Sequence, residues 1–317
     1  MERQFNIICV LICSVIGFTS MKKIAKEWFL SPRSLAMQIA MNGLAVFLFA
    51  AAANANHAWS TYHWARTANP FTIKVGDNVT SGWDFSLTET CADWSDISPF
   101  FFTLTDGTVI NCNRADNPVR LTLVTGTSGN ARRCTAKSGT IQVCNSTYGN
   151  NGWLGIATIS VSGSHITAGT VKVNDTYFNT ASYNTPAWRR LVMEQEVGHC
   201  LGLNHQDENF SNADVVDACG RGSCMDYSNN PDNQGTPNGH DYDQLVEIYS
   251  HLDATTTIAS GLPSTQGNAG FDISDSVDPE NPATWGRPIG SRNGRMNLFE
   301  RQFGPNLKVI THVFWLE

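Results

Sequence analysis

Apolar and polar residues alternate over Phe71, Ile73 and Val75, and again over Val119, Leu121 and Leu123. That is the period of a strand with one face turned to a core. Val143 lies inside a third such run, and Leu154 to Val161 and Thr170 to Phe178 are longer strand-rich stretches that complete a sheet. The period then changes. Met193, Val197 and Leu201 recur every four residues with Cys200 beside them, the stripe of a helix with a buried side. Thr185 can cap that helix and Pro186 suits its first turn. Tyr242, Leu245, Ile248 or Tyr249, and Leu252 repeat at helical spacing within Asp241 to Leu252, which predicts a second, closing helix. Further on, Gly286 to Ile289, Met296 to Phe303 and Lys308 to Trp315 are apolar-rich runs separated by turn signals that include Asn293-Gly294, and they predict a small C-terminal β appendage. The pattern as a whole predicts an α+β fold.

Ahead of all this, Lys22, Lys23 and Lys26 precede an apolar stretch that culminates in Leu44 to Ala53, and Ala53-Asn54-Ala55 offers a small-x-small cleavage site. Residues 1–55 therefore read as a leader cut after Ala55. A second apolar run, Ile7 to Phe18, falls short of the roughly twenty residues that span a bilayer. Translation from Met21 accounts for both runs, and a tether that begins at Met1 is the alternative. The expected plan is a main domain over 56–253, a linker over 254–270 rich in Thr, Ser and Gly, and the appendage over 271–317. The product is expected to be secreted or periplasmic, with no stable membrane insertion after cleavage.

Composition narrows the class. A chain of 317 residues that is 41% hydrophobic and 15% charged can bury one sizeable core. Its net charge of -7, with no basic run after the leader, argues against a nucleic-acid partner. Export makes the cysteines beyond the leader, Cys91, Cys112, Cys134, Cys144, Cys200, Cys219 and Cys224, candidates for pairing. Cys134 with Cys144 and Cys91 with Cys112 are the local expectations, and Cys224 has Cys219 or Cys200 within reach. Their odd number leaves one thiol over.

The candidate chemistry lies in Gln195-Glu196-Val197-Gly198-His199-Cys200-Leu201-Gly202-Leu203-Asn204-His205. Residues four apart share a helix face, so Gln195 and His199 point to one side with Glu196 next to them. Gly202 suits a left-handed helix end that swings His205 back toward the same place. A catalytic zinc site uses three protein ligands and one open position, and Glu196 can serve as the base for an attacking water. The inferred chemistry is amide hydrolysis.

This run resembles the metzincin signature, histidine-Glu-x-x-His-x-x-Gly-x-x-His, at Glu196, His199, Gly202 and His205, but carries Gln195 in place of the first histidine. Ser223-Cys224-Met225-Asp226-Tyr227 resembles the methionine turn of the same family, with Met225 as an apolar floor. The likeness covers roughly residues 57 to 253. It implies a matrixin-like twisted mixed sheet with an active-site helix and a C-terminal helix, one catalytic zinc ion, and a peptide or protein substrate. Gly155 to Ser160 would bind that substrate by strand addition, with ordinary sheet pairing as the alternative.

Gln195 leaves three readings open. It ligates zinc weakly through its oxygen, or another residue replaces it, or the chain is a non-catalytic secreted binding protein on a decayed metzincin scaffold. Tyr227 is the first candidate replacement, with a role at the metal or the oxyanion as the resemblance implies, and Asp207 is the second. His312 reads as a strand residue, and His240 as part of a helix start. His165, in a Gly-Ser-His turn, reads as an exposed histidine with a structural metal as the alternative.

Overall fold

The computed structural model describes residues 56–99, 101–112, 115–207, 213–259, 272–292 and 294–316. The expected leader with its Met21 start, the cleavage site at Ala55, much of the expected linker and Asn293 lie outside the described residues.

Most of the described strands join one mixed, nine-stranded sheet. The first five in sequence with a place in it are β1 (His63–Trp64), β2 (Phe71–Asn78), β5 (Val119–Thr125), β6 (Thr140–Ser146) and β7 (Trp153–Ser162). They are followed by β8 (His165–Asn174), β9 (Arg287–Arg292), β10 (Arg295–Gly304) and β11 (Leu307–Trp315). The order across the sheet is β5-β2-β6-β8-β7-β11-β10-β9, with β1 added alongside β8. A separate hairpin is formed by β3 (Phe101–Thr103) and β4 (Val109–Asn111). The helices are α1 (Asp84–Asp93), α2 (Asp175–Phe178), α3 (Pro186–Cys200) and α4 (Gly239–Ile248). The fold class is thus α+β, as the hydrophobic periods predict.

The predicted strands recur with small shifts, and one ends early. The run expected to continue to Phe178 leaves the sheet at Asn174, whose side chain accepts from the Thr176 backbone N–H and starts α2. A capping Asn followed by Asp and Thr favours that local turn over further pairing. At the predicted cap of α3 the Thr185 side chain accepts from the Trp188 N–H at 3.2 Å, and Pro186 opens the helix.

The larger correction concerns the C-terminus. The strands expected to form a separate appendage extend the main sheet, because β11 pairs antiparallel with β7 over its whole length. Side chains alternate across a strand, and here both faces are covered. Ala157, Ile310 and Phe314 belong to the apolar cluster that includes Val192 and Val197 of α3 and Leu201 at its end. Their neighbours Ile156, Val309 and Val313 belong to a second cluster on the opposite face, built around Trp153, Trp285 and Trp315. A strand buried on both faces is an interior strand, so β11 is part of the core. It also occupies the edge of β7 that was expected to take a peptide: Gly155 faces Phe314 and Ser160 faces Val309.

Two disulfides are present among the described residues, Cys134–Cys144 as expected and Cys112–Cys219. The second corrects the expected Cys91–Cys112 pair. Cys91 sits on the buried side of α1, whereas Cys112, at the end of β4, meets the loop in which Arg221 Nη2 donates to the Cys112 carbonyl at 2.5 Å. Cys91, Cys200 and Cys224 are free thiols and buried, so Cys224 pairs with neither of its expected partners. The disulfides fit an oxidising compartment. No helix of the described residues is long and apolar enough to cross a membrane.

Candidate metal centre

From Leu191 to Cys200 every residue of α3 is buried, including Glu194, Gln195, Glu196 and His199. The helix ends where Gly202 adopts a φ of +96°, a conformation that glycine takes without strain. A side chain there would also meet the Tyr62 carbonyl, whose oxygen would lie 2.4 Å from an added Cβ. The turn brings the Leu203 carbonyl to 2.8 Å from His199 Nδ1. A carbonyl only accepts, so Nδ1 carries the proton and Nε2 presents a lone pair. That Nε2 is buried and has no hydrogen-bond partner. An unpaired acceptor in a dry interior is costly unless a donor or a cation meets it, and a metal ion is one group that can.

His205 follows in the loop, with its ring centroid 4.9 Å from that of His199. The methionine turn packs against this stretch. Gln206 N–H donates to the Met225 carbonyl at 2.7 Å, and Tyr227 N–H donates to the Asp207 carbonyl at 3.1 Å. Met225 is fully buried, and its Sδ would stand 2.6 Å from a Cβ added at Gly198, so the helix and the turn are in close contact.

Gln195 faces this turn. Its Nε2 donates to the Cys224 carbonyl at 2.7 Å and to the Asp226 carbonyl at 3.3 Å. The amide nitrogen is thereby held by two backbone acceptors and ties Gln195 to the methionine turn, while Oε1, the atom expected to ligate, is buried with no hydrogen-bond partner. Asp207 is likewise used through its backbone, in a bridge to Asp226.

The third imidazole comes from a place that the sequence motif does not mark. His312 lies on β11 opposite Ala157, on the strand face that Ile310 and Phe314 turn toward α3. Its ring centroid is 3.8 Å from that of His199 and 4.5 Å from that of His205. His199, His205 and His312 each offer one ring nitrogen, and the three lie within 4.8 Å of one another. Only the register of β11 on β7 shows this, since nothing within the run Val309 to Phe314 sets His312 apart.

Around the three rings the electrostatics are those of a dry site. Burial pushes His199 down to about 3, and pushes His205 and His312 well below the ordinary imidazole value, helped by their mutual proximity and by the Arg292 cation. The rings are therefore neutral at physiological pH, the form in which imidazole ligates metal. Burial drives Glu196 the opposite way, well above the usual carboxylate range, against a smaller opposing effect of the Ala157 backbone N–H. Glu196 Oε2 lies 3.5 Å from His312 Nδ1. Gly155 makes room for it, since a Cβ there would stand 2.8 Å from Glu196 Oε1. Tyr227 is buried too, its hydroxyl donating to the Val313 carbonyl at 3.1 Å with the Arg292 guanidinium over its ring.

Three neutral imidazoles suit zinc, copper or nickel, and not calcium or magnesium, which prefer oxygen. A scan against models of known protein families finds no match to this chain, and a search of curated proteins finds none either.

Two outcomes are expected from this geometry. Gln195→Ala removes both donors to the turn, so it should lower stability to denaturant by about 1–3 kcal/mol while leaving zinc affinity unchanged. A fall in zinc affinity at constant stability would return Gln195 to the ligand set. The second outcome concerns pH. Because the pKa of His312 is depressed on folding, the unfolded chain binds the extra proton as pH falls below about 6.5. The metal-free chain should therefore lose stability relative to a His312→Phe variant as pH falls through that range, and an unchanged difference between the two would show His312 to be solvated.

Proposed function

We propose that the chain is a secreted zinc-dependent metalloendopeptidase in which His199, His205 and His312 hold the ion and Glu196 is the general base. The observation that supports this reading best is the meeting of three buried, neutral imidazoles beside a carboxyl group, two of them carried by a helix and following loop that resemble those of the metzincins and the third by β11. Bound zinc would supply a Lewis acid and acidify a water molecule.

The residues of the chain do the rest. Burial favours the neutral acid form of Glu196, and a cation bound beside it would favour the carboxylate, which would take a proton from an attacking water and pass it to a leaving amine. Leu203, through His199 Nδ1, sets the tautomer of that ring. Met225 provides the apolar floor. Tyr227 can steady a developing oxyanion once its hydroxyl leaves the Val313 carbonyl. Peptides and proteins are the proposed substrates.

One observation favours a second reading. The β7 edge is taken by β11, and Glu196, His199, His205 and His312 are all at most 5% exposed, so an extended peptide has no strand to join. A chain that keeps β11 in place would be a secreted, non-catalytic binding protein in which the metal stabilises the fold.

The purified, zinc-loaded chain separates the two when it is incubated with a library of internally quenched peptides. Hydrolysis that Glu196→Gln abolishes, at least about 100-fold, with zinc content unchanged is the expected result for the peptidase. Retained zinc without hydrolysis would establish the second reading. His312→Ala should release the zinc in either case, and one equivalent of zinc retained at wild-type affinity would remove His312 from the site.

A further inference from the structure

A second group of convergent side chains lies at the turn end of the β7–β8 hairpin. Its members come from three separate segments: His63 on β1, His165 at the start of β8, and His251 and Asp253 just beyond α4. None belongs to the signature around Glu196.

Sheet register brings the first two together. β1 pairs parallel with β8 so that His63 and His165 are direct partners, which places their side chains on the same face of neighbouring strands. Their ring centroids are 5.0 Å apart. The segment after α4 is bound to the chain just beyond β1 at Arg66. Asp253 N–H donates to the Arg66 carbonyl at 2.9 Å, and Arg66 N–H donates to Asp253 Oδ2 at 3.2 Å.

The carboxylate of Asp253 is divided between two roles. Oδ2 accepts from Arg66 Nη1 at 3.0 Å as well as from the Arg66 backbone. Oδ1 faces three ring nitrogens: His165 Nε2 at 3.2 Å, His63 Nε2 at 3.3 Å and His251 Nε2 at 3.9 Å. The Nε2 atoms of His63 and His251 are 3.2 Å apart. Four ligand atoms around a zinc ion at ~2.0–2.1 Å stand ~3.3 Å from one another along the edges of a tetrahedron. Three of the four separations here have that length within 0.1 Å.

The tautomer of His63 sharpens the point. Its Nδ1 lies 2.8 Å from the Thr61 carbonyl, which accepts only, so Nδ1 carries a proton. A neutral His63 then turns the lone pair of Nε2 toward a carboxylate oxygen. That contact is repulsive unless a second proton or a cation stands between them. Arg66 cannot be that cation for Oδ1, because its guanidinium is spent on Oδ2, on Asn69 Oδ1 and on the His251 carbonyl. It acts as an outer clamp on the Asp253 carboxylate and on the backbone of His251. Metal ligands commonly have such supports, in which a carbonyl sets the ring of a histidine and a donor holds the far oxygen of a carboxylate.

We propose that His63, His165, His251 and Asp253 form a second divalent-metal site, of three imidazoles and one carboxylate, that takes zinc or a similar transition-metal ion. Unlike the first centre it opens to solvent, since the side chains of His251 and His165 are 52% and 36% exposed while those of His63 and Asp253 are 7% and 11% exposed. An ion can therefore enter without any strand moving. Four protein ligands leave no open position, so the site is structural: it fastens β1 and the end of α4 to the β7–β8 turn. It shares no ligand with the centre at His199 and does not rest on the peptidase reading.

The test is zinc titration of the full folded chain, stripped of metal, followed by elemental analysis and thermal unfolding. His251→Ala and His165→Ala are the variants of choice, because both side chains reach the surface and their loss leaves the core intact. The wild type should bind two equivalents. Each of these variants should bind one, with affinity for the lost equivalent reduced by more than the ~10–100-fold that loss of an outer-shell partner costs. His199→Ala should lose the other equivalent and keep this one. A wild type with one equivalent that disappears in His251→Ala but persists in His199→Ala supports this site and removes the first. If His251→Ala and His165→Ala both bind as much zinc as the wild type, with the same zinc-induced gain in melting temperature, the cluster is a hydrogen-bonded network and the proposal fails.

Discussion

Everything at the centre of this protein depends on the burial of four polar side chains in succession or nearly so, Glu194, Gln195, Glu196 and His199, on a helix end from which water is excluded. Each such group costs free energy unless a partner is built for it. The surroundings can be understood as those partners. The methionine turn offers two carbonyls to Gln195, and Leu203 offers one to His199. Gly155 yields space to Glu196, while the indole N–H of Trp94 satisfies only the backbone carbonyl of Glu194, whose carboxyl is held in its neutral form by burial. Burial then makes the rings neutral, the form in which imidazole can ligate a metal, and holds the carboxyl in its neutral form unless a cation is placed beside it.

The parts of this arrangement that are local in sequence were legible. Thr185 and Pro186 mark the start of α3, Gly202 marks its end, and the turn at Met225 packs against the helix at Gly198. The parts set by tertiary geometry were not. Gln195 and His199 do share a helix face, but the reach of a side chain decides its partner, and the Cys224 and Asp226 carbonyls lie within reach of Gln195. His312 depended on register: one residue of slip between β11 and β7 would turn it to the other face, beside Val309 and Val313. The meeting of His63 with His165 was hidden in the same way, because two-residue β1 carries no periodic signal of its own. α1 also lacked a strong stripe, although Leu87 and Cys91 on it are buried. Cys112 was assigned its near neighbour Cys91, and the loop that carries Cys219 came to it instead.

Strand β11 unites the fold and the site. It supplies apolar residues to both faces of the sheet, holds the hydroxyl of Tyr227 with the Val313 carbonyl, and presents His312 to α3. A surface appendage could be lost with little effect on a core. An interior strand cannot, and here the same strand fills the edge along which an extended peptide would pair. Under the peptidase reading, access for a substrate and structural integrity would therefore compete at one element.

The separation of His312 from Glu196 by 116 residues has a temporal meaning as well. Contacts so distant along the chain form late, after the local helices and hairpins, because a long loop must close before they are rewarded. While the chain is assembling, the helix and its following turn can offer an ion only two rings. The third arrives with β11, so under the proposed ligation the grip on a metal would tighten as that strand joins the sheet, and any event that peels β11 away would loosen both together.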